Sequence, residues 1–342
     1  MAEPTPRATL DEMRAQLASL PGPDLAAASA AAAREAQLTK PAGALGRLEQ
    51  LSAWLATWQA KHPPTVAHPR TAVFAGNHGV AARGVSAYPA EVTAQMVQNF
   101  IRGGAAVNQL CRAVDADLRV YEMALEQPTA DFTAGPAMSD EDCATAMAYG
   151  MMAVEPGVDV VALGEMGIAN TASAAALCGL LFAGEATHWV GPGTGVTGAG
   201  LQRKIEAVDA AMRLHGAATR DPFDSLRRVG GRELAAIAGA VIAARRARVP
   251  VVLDGFAATA AAAVLFAADA GALDHCIVAH RSAEPGHARL LERIGKQPLF
   301  DLGMRLGEAS GATLALAILK AAVACHSGMA TFAEAGVSGK EG

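Results

Sequence analysis

Short apolar runs return along this chain at intervals filled by helix-forming sequence, and each run ends in small or polar residues. The clearest instance is Val158 to Leu177. Its apolar segment (Val158, Val160, Val161, Ala162, Leu163) passes straight into Gly164-Glu165-Met166-Gly167 and then into an alanine-rich stretch. That order is strand, tight loop, helix. Further runs occur at Thr71 to Ala75, Leu118 to Met123, His188 to Val190, Val249 to Leu253 and Cys276 to Ala279. About six strands alternating with helices predict an α/β protein with a doubly wound parallel sheet. Ligands of such sheets bind beyond the carboxyl ends of the strands. Here those ends carry GNHGV at 76 to 80, GE at 164, GPGTGV at 191 to 196, DG at 254 and HRSAEPGH at 280 to 287.

The rest of the chain narrows the class. With 342 residues there is room for one large domain and an accessory one. A net charge of −5 argues against a nucleic-acid surface, and no basic run is interleaved with aromatics. The five cysteines are far apart, odd in number and without CxxC spacing, which predicts reduced thiols in a cytoplasmic protein. The start, MAEPTPRATLDEMRAQL, has acids and no apolar core of signal-peptide length. No uninterrupted apolar stretch of about 18 residues suggests a membrane span. Helical spacing over 8 to 20 stops at Pro21-Gly22-Pro23; a second helix fills 24 to 37; a breaker-rich loop follows at 38 to 46. A third helix puts Leu48, Leu51, Trp54, Leu55 and Trp58 on one face, a stripe suited to core or interface packing. Pro63-Pro64 marks a boundary with the sheet, and after Pro298 the chain returns to helix with Gly307-Glu308 at its start.

Several residues are placed for chemistry. Glu165 stands between glycines, and Asn170 and Thr171 can cap the following helix or bond a ligand. Taken by itself this is an ordinary βα turn; the number of comparable loops on the same edge gives it weight. Gly193 to Gly198 is a literal GxGxxG, yet no second strand ending in an acid follows, since Glu206 and Asp209 fall in a helical pattern. The glycines therefore suit a phosphate cradle for a mononucleotide, with Lys204 as countercharge, although its position alone favours a solvated helix lysine. Asp254 is a single acid at a strand end, which disfavours a metal-bound diphosphate donor. It suits either ribose hydroxyls or the cap of the next helix. His78, His280 and His287 lack metal-ligand spacing and read as hydrogen-bonding or structural residues. Neither a GxSxG elbow nor a Walker A sequence is present. After Ser86-Ala87-Tyr88-Pro89, the segment EVTAQMVQNFI lines up Val92, Met96 and Phe100. Gln95 lies beside that face, where it can aim an amide into a ring pocket or simply face solvent.

These segments together resemble one family, the nicotinate-nucleotide:5,6-dimethylbenzimidazole phosphoribosyltransferases. The matching stretches are LTKPAGALGRLE (38 to 49), FAGNHGV (74 to 80), GVSAYPAEVTAQMV (84 to 97), GEMGIANT (164 to 171), VGPGTGV (190 to 196), VVLDGFAATAAA (251 to 262), HRSAEPGH (280 to 287) and RLGEASGA (305 to 312). They span nearly the whole chain in order. The resemblance implies a Rossmann-like sheet domain over 66–311 and a small helical domain from both termini, 1–65 plus 312–342. It implies a homodimer, with the Trp54 and Trp58 stripe as a candidate interface. The implied reaction moves ribose 5-phosphate from nicotinate mononucleotide to 5,6-dimethylbenzimidazole, a step of cobalamin nucleotide-loop assembly, without metal or cofactor. Carried over by motif, Glu308 is the catalytic base and Glu165 lies in the active site. The nucleotide falls to Gly164, Gly167, Asn170, Thr171, Gly191, Gly193, Thr194, Gly195, Lys204 and Asp254, and the base to Ser86, Tyr88, Gln95 and Leu306. Two other readings stand beside it: an NAD-dependent oxidoreductase resting on Gly193 to Gly198, and a non-catalytic sensor of a base or nucleotide.

Overall fold

The computed structural model describes residues 8–338; the first seven residues of the amino-terminal stretch and the last four of the chain lie outside the described residues. Five parallel strands form the sheet: β1 (Pro69–Ala75), β2 (Asp117–Glu122), β3 (Val160–Met166), β4 (Val251–Leu253) and β5 (Cys276–Val278). Their order is β2-β1-β3-β4-β5. The direction of winding reverses between β1 and β3, so the carboxyl ends of these two strands open the crevice where ligands of such sheets bind. There Phe74 pairs with Glu165 and Ala75 with Met166.

The expected strand at His188 to Val190 is a short 3-10 turn, Ala186–His188, which leaves five strands rather than about six. Its apolarity comes from two buried residues, Trp189 and Val190, and the Trp189 indole N–H donates to Ala183 O at 3.0 Å. A run of three residues cannot distinguish a strand from a buried turn.

Strand side chains alternate between two cores, as period two requires. Phe74, Val161, Leu163, Val251 and Leu253 enter a large cluster with helices Asn170–Phe182, Arg232–Arg246 and Phe256–Ala268. Val73, Val160, Ala162 and Val252 enter a smaller one with Leu55, Phe100, Val107, Leu316 and Leu319. Central strands therefore read as continuous apolar runs, whereas edge strand β2, half exposed along its length, reads as DLRVYE.

Among the described residues, Ser310–Gly328 is the one helix long and apolar enough to cross a membrane by length and composition. It packs instead on helices Arg47–Gln59 and Ala106–Val114 and against β3. The tryptophan stripe also turns inward. Trp58 is buried beneath the Arg245 guanidinium, 4.0 Å from its ring centroid, and Trp54 donates to Asp274 O at 3.2 Å. Leu51, Leu55 and Trp58 are thus internal packing, while Leu48 and Trp54 are only partly buried.

Candidate active site

At the switch point lies a cavity of about 680 Å³, within the range of small-molecule sites. Glu165 at the end of β3 and Glu308 both line it. Glu308 comes from a segment that crosses over the sheet edge, Gly307-Glu308-Ala309, whose three residues all adopt left-handed φ (81°, 62° and 57°). Its backbone N–H donates to Glu165 O at 3.0 Å, so the two acid loops are joined through their main chains. The helix behind it begins at Ser310 with Ala309 as N-cap. Glu308 therefore directly precedes the N-cap instead of starting the helix.

The acids of this end are set against ionisation. Burial pushes the Glu308 carboxyl up to about 7, and the charge of Asp254 adds to the effect. Glu165 is pushed up to about 8, first by the low-polarity wall around it, while the Asn170 amide, donating to its Oε2, opposes the shift. Asp254, Glu233 and Glu308 raise it further by repulsion. Part of the Glu165 surface stays open to the cavity, so a charged or hydrogen-bonding ligand can alter this balance.

Asp254 is wholly buried and lies beneath the cavity wall. Its Oδ1 accepts from Ala312 N at 2.9 Å, and no side-chain cap serves the helix that follows it in sequence, Phe256–Ala268. Asp254 is therefore a cap on a helix remote in sequence, the one behind Glu308. Its Oδ2 has no partner, and neither ring nitrogen of neighbouring His280 has a hydrogen bond. His280 Nε2 stands 3.6 Å from Asp254 Oδ1.

The opposite end is built from partnered groups. Gly193 N donates to Glu284 Oε1 at 2.8 Å, and Gly195 N and Val196 N both donate to Pro192 O at 2.9 Å. Three donors expected to cradle a phosphate are thus already engaged. Lys204, 1% exposed, is no solvated lysine: its Nζ donates to Thr171 Oγ1 at 2.8 Å and to Gly191 O at 2.9 Å. Burial pulls it down to about 8, with Glu284 acting the other way. Through Thr171 it reaches the first turn of helix Asn170–Phe182, where the cavity wall includes Gly167, Asn170, Thr171, Gly193 and Thr194. Gly164, Gly191 and Lys204 are buried outside the lining, and Gly195 is exposed to solvent.

Of the residues expected at the base, Tyr88 and Leu306, each 56% exposed, line the mouth. Ser86 lies outside the lining; its hydroxyl bonds Thr194 Oγ1 at 2.9 Å and ties its loop to the glycine turn. Gln95 is exposed and outside the cavity, a correction with a simple cause. Val92 and Met96, one helical turn apart on Val92–Arg102, face the cavity, and residue 95 lies about 100° round the helix from Met96.

Sequence reasoning did not assign Glu284 or Arg305, whose Nη1 donates to Gly193 O at 2.9 Å. Both sit in loops already marked by their breakers and charge. The other histidines are structural: His78 bridges Glu233 (2.6 Å) and Ser173 (3.0 Å), and His287 accepts from Ser282 N at 2.9 Å. Burial pushes His287 down to about 3, so it is neutral. Among the described residues no group of three or more His, Cys, Asp or Glu side chains is arranged to hold a metal ion.

A doubly wound sheet with a nucleotide-sized cavity at its switch point, carboxylates at one end and a buried lysine at the other, defines an α/β nucleotide-binding enzyme. The chain belongs to the phosphoribosyltransferase family, whose model matches residues 20–337. It is 57% identical over 331 residues to the nicotinate-nucleotide--dimethylbenzimidazole phosphoribosyltransferase of Brucella anthropi, covering 97% of this chain and 98% of that protein. The Rhizobium meliloti enzyme of the same name is 58% identical over 331 residues, with the same coverage of 97% and 98%. Two crystal structures from Thermus thermophilus share the fold. One, of a nicotinate-nucleotide-dimethylbenzimidazole phosphoribosyltransferase, gives a TM-score of 0.85 at 41% identity over 93% of this chain and all of that one. The other, of CobT, gives 0.86 at 42% identity over 92% of this chain and all of that one.

Proposed function

We propose that this protein transfers ribose 5-phosphate from nicotinate mononucleotide to 5,6-dimethylbenzimidazole, releasing nicotinate and α-ribazole 5′-phosphate, with Glu308 as general base. The observation that carries this is the pair of joined acid loops on a cavity whose wall at Thr171 and Gly193 is backed by Lys204. Nicotinate leaves from a cationic pyridinium and takes the bonding electrons without needing a proton. The incoming benzimidazole attacks the anomeric carbon on the opposite face, inverting β to α, and must lose its N–H proton. A carboxylate poised near neutral pH, as burial makes Glu308, accepts that proton best.

Glu165, held further towards its protonated form, suits a different role. It can donate to the ribose or nucleobase or, when ionised, balance positive charge at the anomeric carbon. The flat ring fits against Val92, Met96, Tyr88 and Leu306. Lys204 acts on the phosphate from one layer behind Thr171 and Gly193, and Arg305 stands beside them. An oxidoreductase reading loses ground because the relatives matched over nearly the whole chain are named phosphoribosyltransferases.

The test mixes the protein with nicotinate mononucleotide and follows nicotinate release with and without the benzimidazole. Release that depends on the benzimidazole supports transfer; ligand binding without turnover would return the sensor reading. We assign the protein to the cytoplasm, where its five unpaired cysteines stay reduced. We also assign it a homodimeric state on family likeness; a monomer mass by light scattering at micromolar concentration rejects that state.

A further inference from the structure

We propose that Gly164 and Gly311 are positioning residues that hold the Glu308 carboxylate in place, although neither touches the cavity. The inference rests on the reading of Glu308 as the base. Glu308 and Ala309 are non-glycine residues with left-handed φ (62° and 57°). Such backbone persists only where its surroundings determine it.

Two close contacts supply that determination. On the β3 side, a Cβ at Gly164 would lie 2.2 Å from Ala309 N and 2.4 Å from Ala309 Cα. Both are main-chain atoms, so no rotamer change makes room. On the helix side, a Cβ at Gly311 would lie 2.1 Å from His280 Cδ2. His280 cannot easily retreat, being buried and stacked on Phe300 with rings 18° apart. Neither glycine has positive φ, so space alone, and not conformation, requires glycine at either position. Between these contacts the turn is pinned by Glu308 N to Glu165 O (3.0 Å) and by Ala312 N to Asp254 Oδ1 (2.9 Å). An added methyl on either side lifts the turn that carries Glu308, and no ligand contact is removed.

The test is steady-state kinetics of Gly164→Ala and Gly311→Ala in the full chain, beside Glu308→Gln. Both alanine variants are expected to lose about 10²-fold in kcat, the scale of a misplacement near 1 Å. KM for each substrate should move less than about threefold. The acid limb of the pH–rate profile should shift to lower pH as Glu308 leaves its dry wall. The charged or titratable groups facing it there are Glu165 from β3, Asp254 after β4, His280 after β5 and Arg305 on its own segment. Gly164 lies in a buried central strand, so if Gly164→Ala does not fold, Gly311→Ala at the helix start decides. Wild-type kcat with an unmoved acid limb in the folded variants overturns the proposal. So does a rise in nucleotide KM at unchanged kcat, which would return Gly164 to phosphate binding. Normal turnover in Glu308→Gln removes the base assignment itself, which is a separate failure.

Discussion

The two ends of the cavity are built on opposite plans. At the lysine end the hydrogen bonds are denser, with Lys204 on Thr171 and Gly191, Glu284 Oε1 on Gly193, and Thr194 on Ser86 and Ala87, although Glu284 Oε2 is buried without a partner. At the acid end two carboxylates are pushed towards protonation and buried Asp254 keeps an oxygen without a partner. The backbone there also carries the left-handed turn at 307–309. Partnered groups hold a ligand in one pose, whereas unpartnered and destabilised ones change state when it arrives. We therefore propose binding for the first end and chemistry for the second, where both cavity-lining carboxylates are driven towards protonation.

The largest effect expected from this contrast is on rate at the acid end. Glu308→Gln keeps shape and removes basicity, so turnover should fall by about 10² to 10⁴ with benzimidazole affinity nearly intact. In the unsubstituted enzyme, kcat should rise from about pH 6 to about pH 8 as Glu308, pushed up to about 7, ionises. A folded Glu308→Gln protein with near-normal turnover would falsify the division; a greater loss in Glu165→Gln would move the base to that loop.

Next in size is a pure binding effect at the other end. Lys204→Ala should weaken nicotinate mononucleotide by about 1.5 to 3 kcal/mol, the scale of losing a charged partner. Free benzimidazole should bind as before. Because burial brings Lys204 down to about 8, nucleotide affinity should also decline as the pH rises above that value. Calorimetric titration of both ligands checks this, and equal weakening of the two counts against the assignment.

Smaller again is a stability effect specific to the acid end. Glu308 has a folded value of about 7 against 4.5 for an ordinary carboxyl, so the folded state holds its proton more tightly than the unfolded. Stability without ligand therefore falls as pH rises from about 4.5 through about 7. Glu308→Gln removes this penalty and should stabilise the empty protein at about pH 8 by roughly 1 to 3 kcal/mol, with little change at about pH 4. Urea unfolding at the two pH values reads the difference; a variant less stable at the higher pH would mean that Glu308 is a structural residue.

Much of this was legible in the chain because the signals were local. Continuous apolar runs ending in glycine, with an acid beside it at β3 and β4, announced β1, β3 and β4, and motif likeness brought Glu165 and Glu308 to one site. What escaped depended on contacts between distant segments. Lys204 has helical spacing of either kind, and only the packing of Thr171 and Gly191 around it shows that it is buried. Asp254 was read between a ribose contact and a cap on its own helix, but it caps one that begins 56 residues later, at Ser310. Gly164 looked like part of a ligand loop, and its actual neighbour, Ala309, lies 145 residues on. The 188–190 run is no strand because Trp189 and Val190 are buried at the end of a 3-10 turn, which explains its apolarity.

The smallest predicted effect sharpens the contrast at the cavity mouth, where sequence spacing and structure disagree by one residue. Gln95 was aimed at the ring, yet it is exposed, while Met96 lines the cavity with Val92 one turn earlier. A helix turns about 100° per residue, so two adjacent positions cannot share one ring face. Met96→Ala removes apolar contact from the ring and should raise the benzimidazole KM by about tenfold, consistent with roughly 25 cal/mol for each Å² of apolar surface no longer covered. Gln95→Ala should change it by less than about twofold, the usual range for an exposed site away from special features. Both variants should leave nucleotide KM and the acid limb of the pH profile unmoved, since neither residue reaches Lys204 or Glu308. If Gln95→Ala raises the benzimidazole KM more than Met96→Ala does, the bound ring lies further round the helix than this cavity places it.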